Sequence, residues 1–159
     1  NGLLTLAYLQ DPPRKAYLLE NPTYQLPRKS ATFHGRDVFG PVAAHLAAGV
    51  EPPRFGPELT VSELVRLPIH LNFGTQGEIL TFDRFGNAIT TLLATPAQIR
   101  GKTVRIRYHR IPVASHYAEV PVGTALAYVG SAGLLEVAIH LGNAHEQLGL
   151  KQGDRVELG

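Results

Sequence analysis

The sequence predicts part of an α/β domain at the N-terminus, followed by a mostly antiparallel, β-barrel-like domain at the C-terminus. Before residue 50, two apolar runs and a short helix pattern stand among turn residues. A segment rich in proline and glycine, GVEPPRFGPEL, follows at 49–59, and such segments commonly separate structural elements. After it, short apolar runs alternate with turn signals, which is typical of antiparallel sheets. The expected division is an α/β portion over 1–50, a linker over 51–69 and a β-rich domain over 70–159.

The N-terminal part predicts two strands and one helix. The runs LLTLAYL (3–9) and KAYLLE (15–20) predict strands on either side of an Asp-Pro-Pro-Arg turn. The run VFGPVAAHLAA (38–48) predicts a short apolar helix. We expect Asp37 to cap its N-terminus, because a carboxylate there accepts from free N–H groups. Gly49 is expected to end it, because the left-handed conformation costs glycine little.

The C-terminal part predicts six strands and a short helix. TVRIRYH (103–109) alternates valine, isoleucine and tyrosine with two arginines and a histidine, which predicts a half-buried strand with one basic face. Asn143 is expected to cap a helix over 144–149, and a short turn or helix is expected over 61–67. The predicted strands cover 77–83, 87–93, 103–109, 125–130, 134–140 and 154–158.

Composition narrows the possible functions. The 159 residues include 15 basic and 13 acidic side chains, for a net charge of +2, so charge gives no push toward nucleic acid or membranes. The absence of cysteine excludes disulfides, thiolate catalysis and cysteine-held zinc. The seven histidines lack the spacing of metal ligands, and we expect no metal. No apolar run approaches the ~20 residues that span a bilayer, and no targeting pattern is seen, so we expect a cytoplasmic protein.

The stretch TFHGRDVFG (32–40) places His34 between an aromatic residue and a glycine, just before the predicted helix. Two interpretations are open. In the first, His34 is a hydrogen-bonded structural residue beside a capped helix end. In the second, it handles a proton beside a bound group, because imidazole titrates near neutral pH and a helix N-terminus favours anions.

Two further turns allow both a structural and a functional interpretation. The run from Asp83 to Asn87, with Phe85 between them, has the composition of a hairpin turn. Its carboxylate, ring and amide can also pair an ammonium, stack on a base and hydrogen-bond the edge of that base. Ser131 stands in the second turn and can hydrogen-bond a carboxylate. Glu136 stands inside an apolar run, where a carboxylate needs a partner.

Three stretches in order carry a resemblance to a known family: TFHGRDVFGPVAAHLAAG (32–49), FDRFGNAIT (82–90) and GSAGLLEVAIHLGNA (130–144). With NGLL (1–4), they make essentially the whole chain resemble the S-adenosylmethionine (SAM) hydroxide adenosyltransferase family, adenosine-forming hydrolases related to the fluorinase and chlorinase. The resemblance implies that water or hydroxide attacks ribose C5′ and that SAM is hydrolysed to adenosine and L-methionine. SAM is then the substrate, and no cofactor is implied.

The resemblance also implies roles for the residues around the histidine. His34 orients or deprotonates the water, Gly35 lets the backbone approach closely, and Phe33 is placed with the substrate-binding residues. Family members form trimers with each site between two subunits, so a homotrimer is expected. They carry a further N-terminal portion that supplies an Asp and an Arg to the water. This sequence is therefore expected to be a C-terminal portion with little turnover by itself.

The other two motifs are implied to bind the substrate. Asp83 pairs the methionine ammonium, Phe85 packs on the adenine, and Asn87 hydrogen-bonds the adenine. Ser131 lies near the methionine carboxylate. Glu136 is also placed among the substrate-binding residues.

Two other functions stay open from the sequence. One is a SAM-dependent halogenase of the same fold, although such relatives carry tyrosine at the position of His34. The other is a non-enzymatic, nucleic-acid-binding β module, because Arg105 and Arg107 stand on one face of a predicted strand and small β-barrels bind nucleic acids. The low net charge and the lack of interleaved aromatic residues disfavour this second alternative.

Overall fold

The computed structural model describes residue 2 and residues 4–159. They divide into two compact units, one that ends at Leu67 and one over Pro68–Gly159, and the strands form two separate sheets. The NGLL segment falls partly on residues 1 and 3, which lie outside the described residues. The predicted linker over 51–69 and the domain bounds at 50 and 70 stay predictions.

The first unit combines short helices with a two-stranded sheet. Strand β1 (Ala16–Tyr17) pairs in antiparallel fashion with β2 (Glu58–Leu59), so only the second and third residues of the predicted strand 15–20 are in a ladder. Single 3-10 turns occupy Pro22–Tyr24, Pro52–Phe55 and Val61–Glu63. The last of these confirms the turn or helix predicted over 61–67.

The strand predicted over 3–9 is wrong, because Thr5–Gln10 forms helix α1. Leucine, alanine and glutamine are good helix formers, and the side chain of Thr5 supports the first turn. Its hydroxyl donates to the Gly2 carbonyl at 2.6 Å and accepts from the Leu67 N–H at 2.9 Å. These hydrogen bonds favour a helix over the predicted β-strand. The apolar pattern of the sequence does not show them. Leu3, where the predicted strand begins, lies outside the described residues.

The helix that contains the His34 motif begins before residue 38, and its first turn is wide. Gly35–Phe39 forms a π-helical turn, and α2 (Gly40–Ala47) continues from it. Pro41 has no N–H to give to the Asp37 carbonyl. That carbonyl accepts instead from the Leu26 N–H at 2.9 Å, so the proline makes an acceptor available that ties a loop to the helix.

Asp37 is not the predicted N-cap. The helix starts at His34, and the Asp37 side chain lies in the first turn, 1% exposed. Its carboxylate accepts from Arg36 Nε at 2.6 Å and from the Ser30 N–H at 2.7 Å, so a basic neighbour and a loop hold it. The other end follows the prediction, since Gly49 comes just after the helix with φ of 90°.

The second unit is a seven-stranded antiparallel sheet in the order β6-β5-β9-β3-β4-β8-β7. Short helices α3 (Pro96–Ile99) and α4 (Ala144–Gln147) and a 3-10 turn at Tyr117–Glu119 connect its strands. Asn143 caps α4 as predicted, because its side-chain oxygen accepts from the Glu146 N–H at 3.1 Å. The strands are β3 (Gln76–Phe82), β4 (Ala88–Leu93), β5 (Thr103–Ile106), β6 (His109–Pro112), β7 (Ala125–Val129), β8 (Leu134–Ile139) and β9 (Arg155–Leu158).

The sheet curls into a nearly closed barrel. Its two outer strands, β6 and β7, approach through a parallel bridge between Val113 and Ala127 and a bond from the Ala114 N–H to the Ala127 carbonyl at 2.9 Å. Near-closure protects edge strands that would otherwise expose unpaired backbone groups. The mostly antiparallel, β-barrel-like prediction for this part of the chain is thereby confirmed.

One predicted strand of this barrel is wrong. Residues 103–109 are not a single strand: β5 and β6 form a tight hairpin with Arg107 and Tyr108 at its turn. Arg107 has φ of 57°, which is rare for residues other than glycine. Its Nη1 donates to the Gly149 carbonyl at 2.8 Å, a tertiary contact that alternation in the sequence cannot show.

The barrel interior is the main hydrophobic core. Every strand contributes to this core. Six of the strands contribute a large, fully buried side chain, whereas β7 contributes the small side chain of Ala127. A smaller cluster of Ala114, Leu126 and Ala138 covers part of the outer face. In the described part of the chain, no helix has the length and apolar character needed to cross a membrane.

Candidate functional site

The loop between β3 and β4 is organised by one carboxylate. Asp83 Oδ1 accepts from the main-chain N–H groups of Phe85 at 2.8 Å and Asn87 at 2.9 Å, while Oδ2 accepts from the Asn87 side-chain amide at 2.8 Å. Gly86 has φ of 82°, and a β-carbon there would overlap the Asn143 side chain. These contacts fix the conformation of the loop, whereas the Phe85 ring stays exposed on its surface.

A cavity of about 540 Å³ lies beside this loop. Its apolar rim includes Phe85 and Leu141, which are 59% and 82% exposed. Leu141 also has φ of 52°, so an apolar side chain is displayed from a sparsely populated backbone conformation. The cavity is lined by Phe85, Asn87, Tyr117, Ile139, His140, Leu141 and Gly142. Exposed apolar groups around a few polar ones are typical of ligand sites.

A chain of hydrogen bonds runs from this cavity across the outer face of the sheet. The Asn87 amide lies 3.3 Å from the Tyr117 hydroxyl, which lies 2.8 Å from the Tyr128 hydroxyl. Tyr128 donates to Glu136 Oε2 at 2.6 Å. We call Tyr117, Tyr128 and Glu136 the tyrosine relay. Burial raises the pKa of the Tyr128 phenol, and the hydrogen bond to Glu136 raises it further, so this hydroxyl keeps its proton.

Glu136 has the partner that its apolar surroundings require. It stands opposite Tyr128 in the β7–β8 ladder and opposite Ile89 in the β4–β8 ladder. A β-carbon at Gly130 would overlap the Glu136 carboxylate, so the glycine leaves the space in which the carboxylate lies. Glu136 therefore acts within the relay rather than alone.

Ser131 lies apart from the loop of Asp83. It is exposed in the turn between β7 and β8, near the end of β4 where Leu93 pairs with Leu134. The loop of Asp83 precedes the other end of β4 at Ala88. Five residue steps of ~3.3 Å separate these ends, so Ser131 and Asp83 lie at opposite ends of one strand pair.

The motif of the first unit displays its histidine and aromatic side chains. His34 is exposed at the start of the helix, and Phe33 is 58% exposed. A β-carbon at Gly35 would meet no atom within 4 Å, so the backbone there is open to close approach. The Arg36 guanidinium lies 5.0 Å from the Phe33 ring centre and pairs with Asp37.

Asp37 stays ionised in this motif. Its hydrogen bonds from Arg36 and from the Ser30 N–H lower the pKa of this carboxyl to about 2. Arg36 and Asp37 therefore form a local ion pair, at 2.6 Å. His34 is in the first unit, whereas Asp83, Phe85, Asn87, Ser131 and Glu136 are in the second.

Two other expectations concern charge and metals. Arg105 pairs with Glu157 at 3.3 Å and Arg107 with Asp154 at 3.7 Å, so acidic neighbours accompany the supposed basic face. Within residues 2 and 4–159, no three His, Asp or Glu side chains converge as metal ligands.

Sequence reasoning missed the relay tyrosines and the cavity residues after β8. A hairpin centred on Ala132, with Ser131 and Gly133 on either side, already pairs Tyr128 with Glu136, so that pair could have been found from register. Tyr117 comes from a connecting segment, and no local pattern signals its position.

The sequence of this chain is similar to that of known proteins. The family description "SAM hydroxide adenosyltransferase N-terminal domain" matches residues 1–56, and "SAM hydroxide adenosyltransferase C-terminal domain" matches residues 77–157. The chain is 56% identical to an (R)-S-adenosyl-L-methionine hydrolase of Thermus thermophilus over 99% of the chain and 64% of that relative. It is 26% identical to a fluorinase of Nocardia brasiliensis over 99% of the chain and 58% of that relative.

A solved structure agrees with the fold. The crystal structure of a conserved hypothetical protein from Thermus thermophilus aligns with 54% identity and a TM-score of 0.66, covering 100% of this chain and 61% of that one. This chain thus spans less than two thirds of the length of these relatives. The two family domains match in order over most of the sequence, and the chain belongs to the SAM hydroxide adenosyltransferase family.

Proposed function

We propose that the chain takes part in the hydrolysis of S-adenosyl-L-methionine to adenosine and L-methionine. The observation that carries this proposal is the cavity that Phe85 and Asn87 both line. It lies in a chain 56% identical to a protein named as an (R)-S-adenosyl-L-methionine hydrolase. An aromatic face and a fixed amide suit a purine, because one packs on the ring and the other hydrogen-bonds its edge.

Substrate binding is assigned to the second unit. Phe85 packs on the adenine and Asn87 hydrogen-bonds it, while Glu136 supports the site through the relay. Asp83 pairs the ammonium of the methionine moiety; its Oδ2 accepts one protein hydrogen bond and retains acceptor capacity. Methionine carries its ammonium and its carboxylate on one carbon. Ser131 lies at the far end of β4 from the loop of Asp83, so these two residues of one chain are not assigned to the same methionine.

Nucleophile handling is assigned to the first unit. His34 orients or deprotonates the water that attacks ribose C5′, and Phe33 and Gly35 border the substrate. Methionine leaves a sulfonium as a neutral thioether, so the leaving group needs no acid. The barrier lies in presenting a weakly solvated nucleophile in line. The Arg36–Asp37 pair holds its charges together at 2.6 Å, and His34 is the exposed imidazole that precedes this pair in the motif.

The cellular setting completes the proposal. SAM is a substrate here, and no separate cofactor is required. We assign the protein to the cytoplasm and to a homotrimer with sites at subunit interfaces, in which His34 and Asp83 of one subunit serve different sites. The expected support is a trimer mass in analytical ultracentrifugation.

A product assay tests the reaction. The chain is incubated with SAM, and adenosine and methionine are quantified by chromatography. Because the chain spans 64% of its Thermus relative, a fusion that supplies the uncovered part of that relative is assayed in parallel. Equimolar adenosine and methionine support the proposal. A chlorinated nucleoside formed on addition of chloride favours the halogenase alternative, and no product from either protein contradicts both.

A further inference from the structure

The neighbours of Asn87 fix the orientation of its amide. The Asp83 carboxylate only accepts hydrogen bonds, so the Asn87 atom 2.8 Å from its Oδ2 is the NH₂ group. The second amide hydrogen is directed to the Tyr117 oxygen at 3.3 Å. Among the described residues, no buried side-chain polar atom lacks a partner. The Asn87 carbonyl oxygen, which takes no described protein donor, is therefore accessible where this residue lines the cavity.

The direction of the tyrosine relay is fixed at its far end. The Glu136 carboxylate also only accepts, so Tyr128 donates to it at 2.6 Å. The Tyr128 oxygen then accepts from Tyr117 at 2.8 Å, which leaves the Tyr117 oxygen to accept from Asn87. If Tyr128 donated to Tyr117 instead, its oxygen lone pair would face the Glu136 carboxylate and the two acceptors would repel each other. Glu136 thus determines, through two hydroxyls, which group Tyr117 offers to Asn87.

We propose that Tyr128 and Glu136 are positioning residues that, through Tyr117, lock the Asn87 amide with its carbonyl oxygen toward the cavity and so select a 6-aminopurine over a 6-oxopurine. The inference rests on the proposed function, in which the bound group is an adenosyl moiety. A 6-amino group donates to the fixed oxygen. A 6-oxo group places a second acceptor against it and leaves both unsatisfied.

The selectivity is measured with adenosine and inosine as probes. Isothermal titration gives the ratio of the inosine to the adenosine dissociation constant for the wild-type chain and for Tyr128→Phe. We expect the wild type to prefer adenosine and Tyr128→Phe to reduce the ratio roughly 2- to 10-fold, the range of one net hydrogen bond. Tyr108→Phe removes a hydroxyl from a residue 79% exposed in the β5–β6 turn and is expected to keep the wild-type ratio. An unchanged ratio in Tyr128→Phe overturns the proposal.

A ligand-free readout separates this proposal from the proposed function. Nuclear magnetic resonance of the Asn87 side-chain amide reports hydrogen exchange in the empty protein. Both hydrogens are expected to exchange slowly in the wild type and in Tyr108→Phe, and faster in Tyr128→Phe and Glu136→Gln. Glutamine both donates and accepts, so Glu136→Gln releases the direction of the relay without removing its far end. Equal exchange in all four proteins overturns the lock, whereas absence of nucleoside binding by a locked wild type contradicts the proposed adenosyl ligand alone.

Discussion

The Asp83 carboxylate accepts from both the main-chain N–H and the side-chain amide of Asn87, at 2.9 and 2.8 Å. One acidic residue therefore sets the turn and receives one of the amide hydrogens of Asn87, while the other is directed to Tyr117. The structural and the functional interpretations of this loop are compatible, since Asp83 Oδ2 accepts one protein hydrogen bond while the carboxylate shapes the turn.

The charge of Asp83 is tested by substitution. Asp83→Ala should weaken SAM binding more than adenosine binding, because only SAM carries an ammonium. A charge-assisted contact is worth about 1.5–3 kcal/mol, and isothermal titration with both ligands measures the difference. Asp83→Asn is the matched control, because its side-chain oxygen can still accept from the turn N–H groups while the charge is lost. Equal losses for SAM and adenosine in both variants would reduce Asp83 to a turn residue.

His34 is tested through rate rather than affinity. His34→Ala should lower adenosine release by ~10²–10⁴-fold, the usual contribution of a positioned base, with SAM affinity nearly intact. Product formation is followed in the fusion described above at matched protein concentration. His70→Ala removes another exposed imidazole outside the motif and should leave the rate unchanged. Full activity of His34→Ala would remove the histidine from the mechanism.

The unfolding free energy at acidic pH should depend on the ionisation of Asp37. The pKa of this carboxyl is about 2 in the folded chain against an ordinary value of 3.8. A folded-state pKa that is lowered adds stability that is fully present above the unfolded pKa and is lost as pH falls through the folded pKa. Asp37→Asn should therefore be less stable than wild type at pH 6. The gap in unfolding free energy should narrow between about pH 4 and pH 2, and chemical denaturation at a series of pH values follows it. A gap that is constant with pH would contradict the lowered pKa.

Much of the barrel could be predicted because its signals are local. The turns at Gly86 and Gly133 and the apolar runs beside them place β3, β4, β7 and β8 within one or two residues of their observed bounds. Predictions failed where a distant contact decided the local structure. Arg107 turns the chain with help from the Gly149 carbonyl, and Thr5 holds α1 with help from the Leu67 N–H.

The candidate site was predictable to a similar extent. Asp83, Phe85 and Asn87 share one loop, so sequence placed them together, and the structure puts Phe85 and Asn87 on one cavity. Tyr117 arrives from a connecting segment, and its place beside Asn87 depends on the packing of the outer face. The π-helical turn after His34 was not predicted either, because apolar spacing and cap residues do not distinguish a π-helical from an α-helical turn.

The last prediction concerns the space beneath the loop of Asp83. Gly86 and Gly101 both have positive φ, 82° and 73°, so alanine at either position carries a left-handed backbone cost of ~1–2 kcal/mol. At Gly101 a β-carbon would meet no atom within 4 Å, whereas at Gly86 it would overlap the Asn143 side chain. Asn143 caps α4, so it cannot withdraw without exposing a helix end. Gly86→Ala should therefore lower the unfolding free energy by clearly more than Gly101→Ala in urea titrations, and it should also weaken adenosine binding because Asn87 shifts with the loop. Equal destabilisation by the two variants would show that the loop relaxes away from Asn143 and that the close approach does not hold it in place.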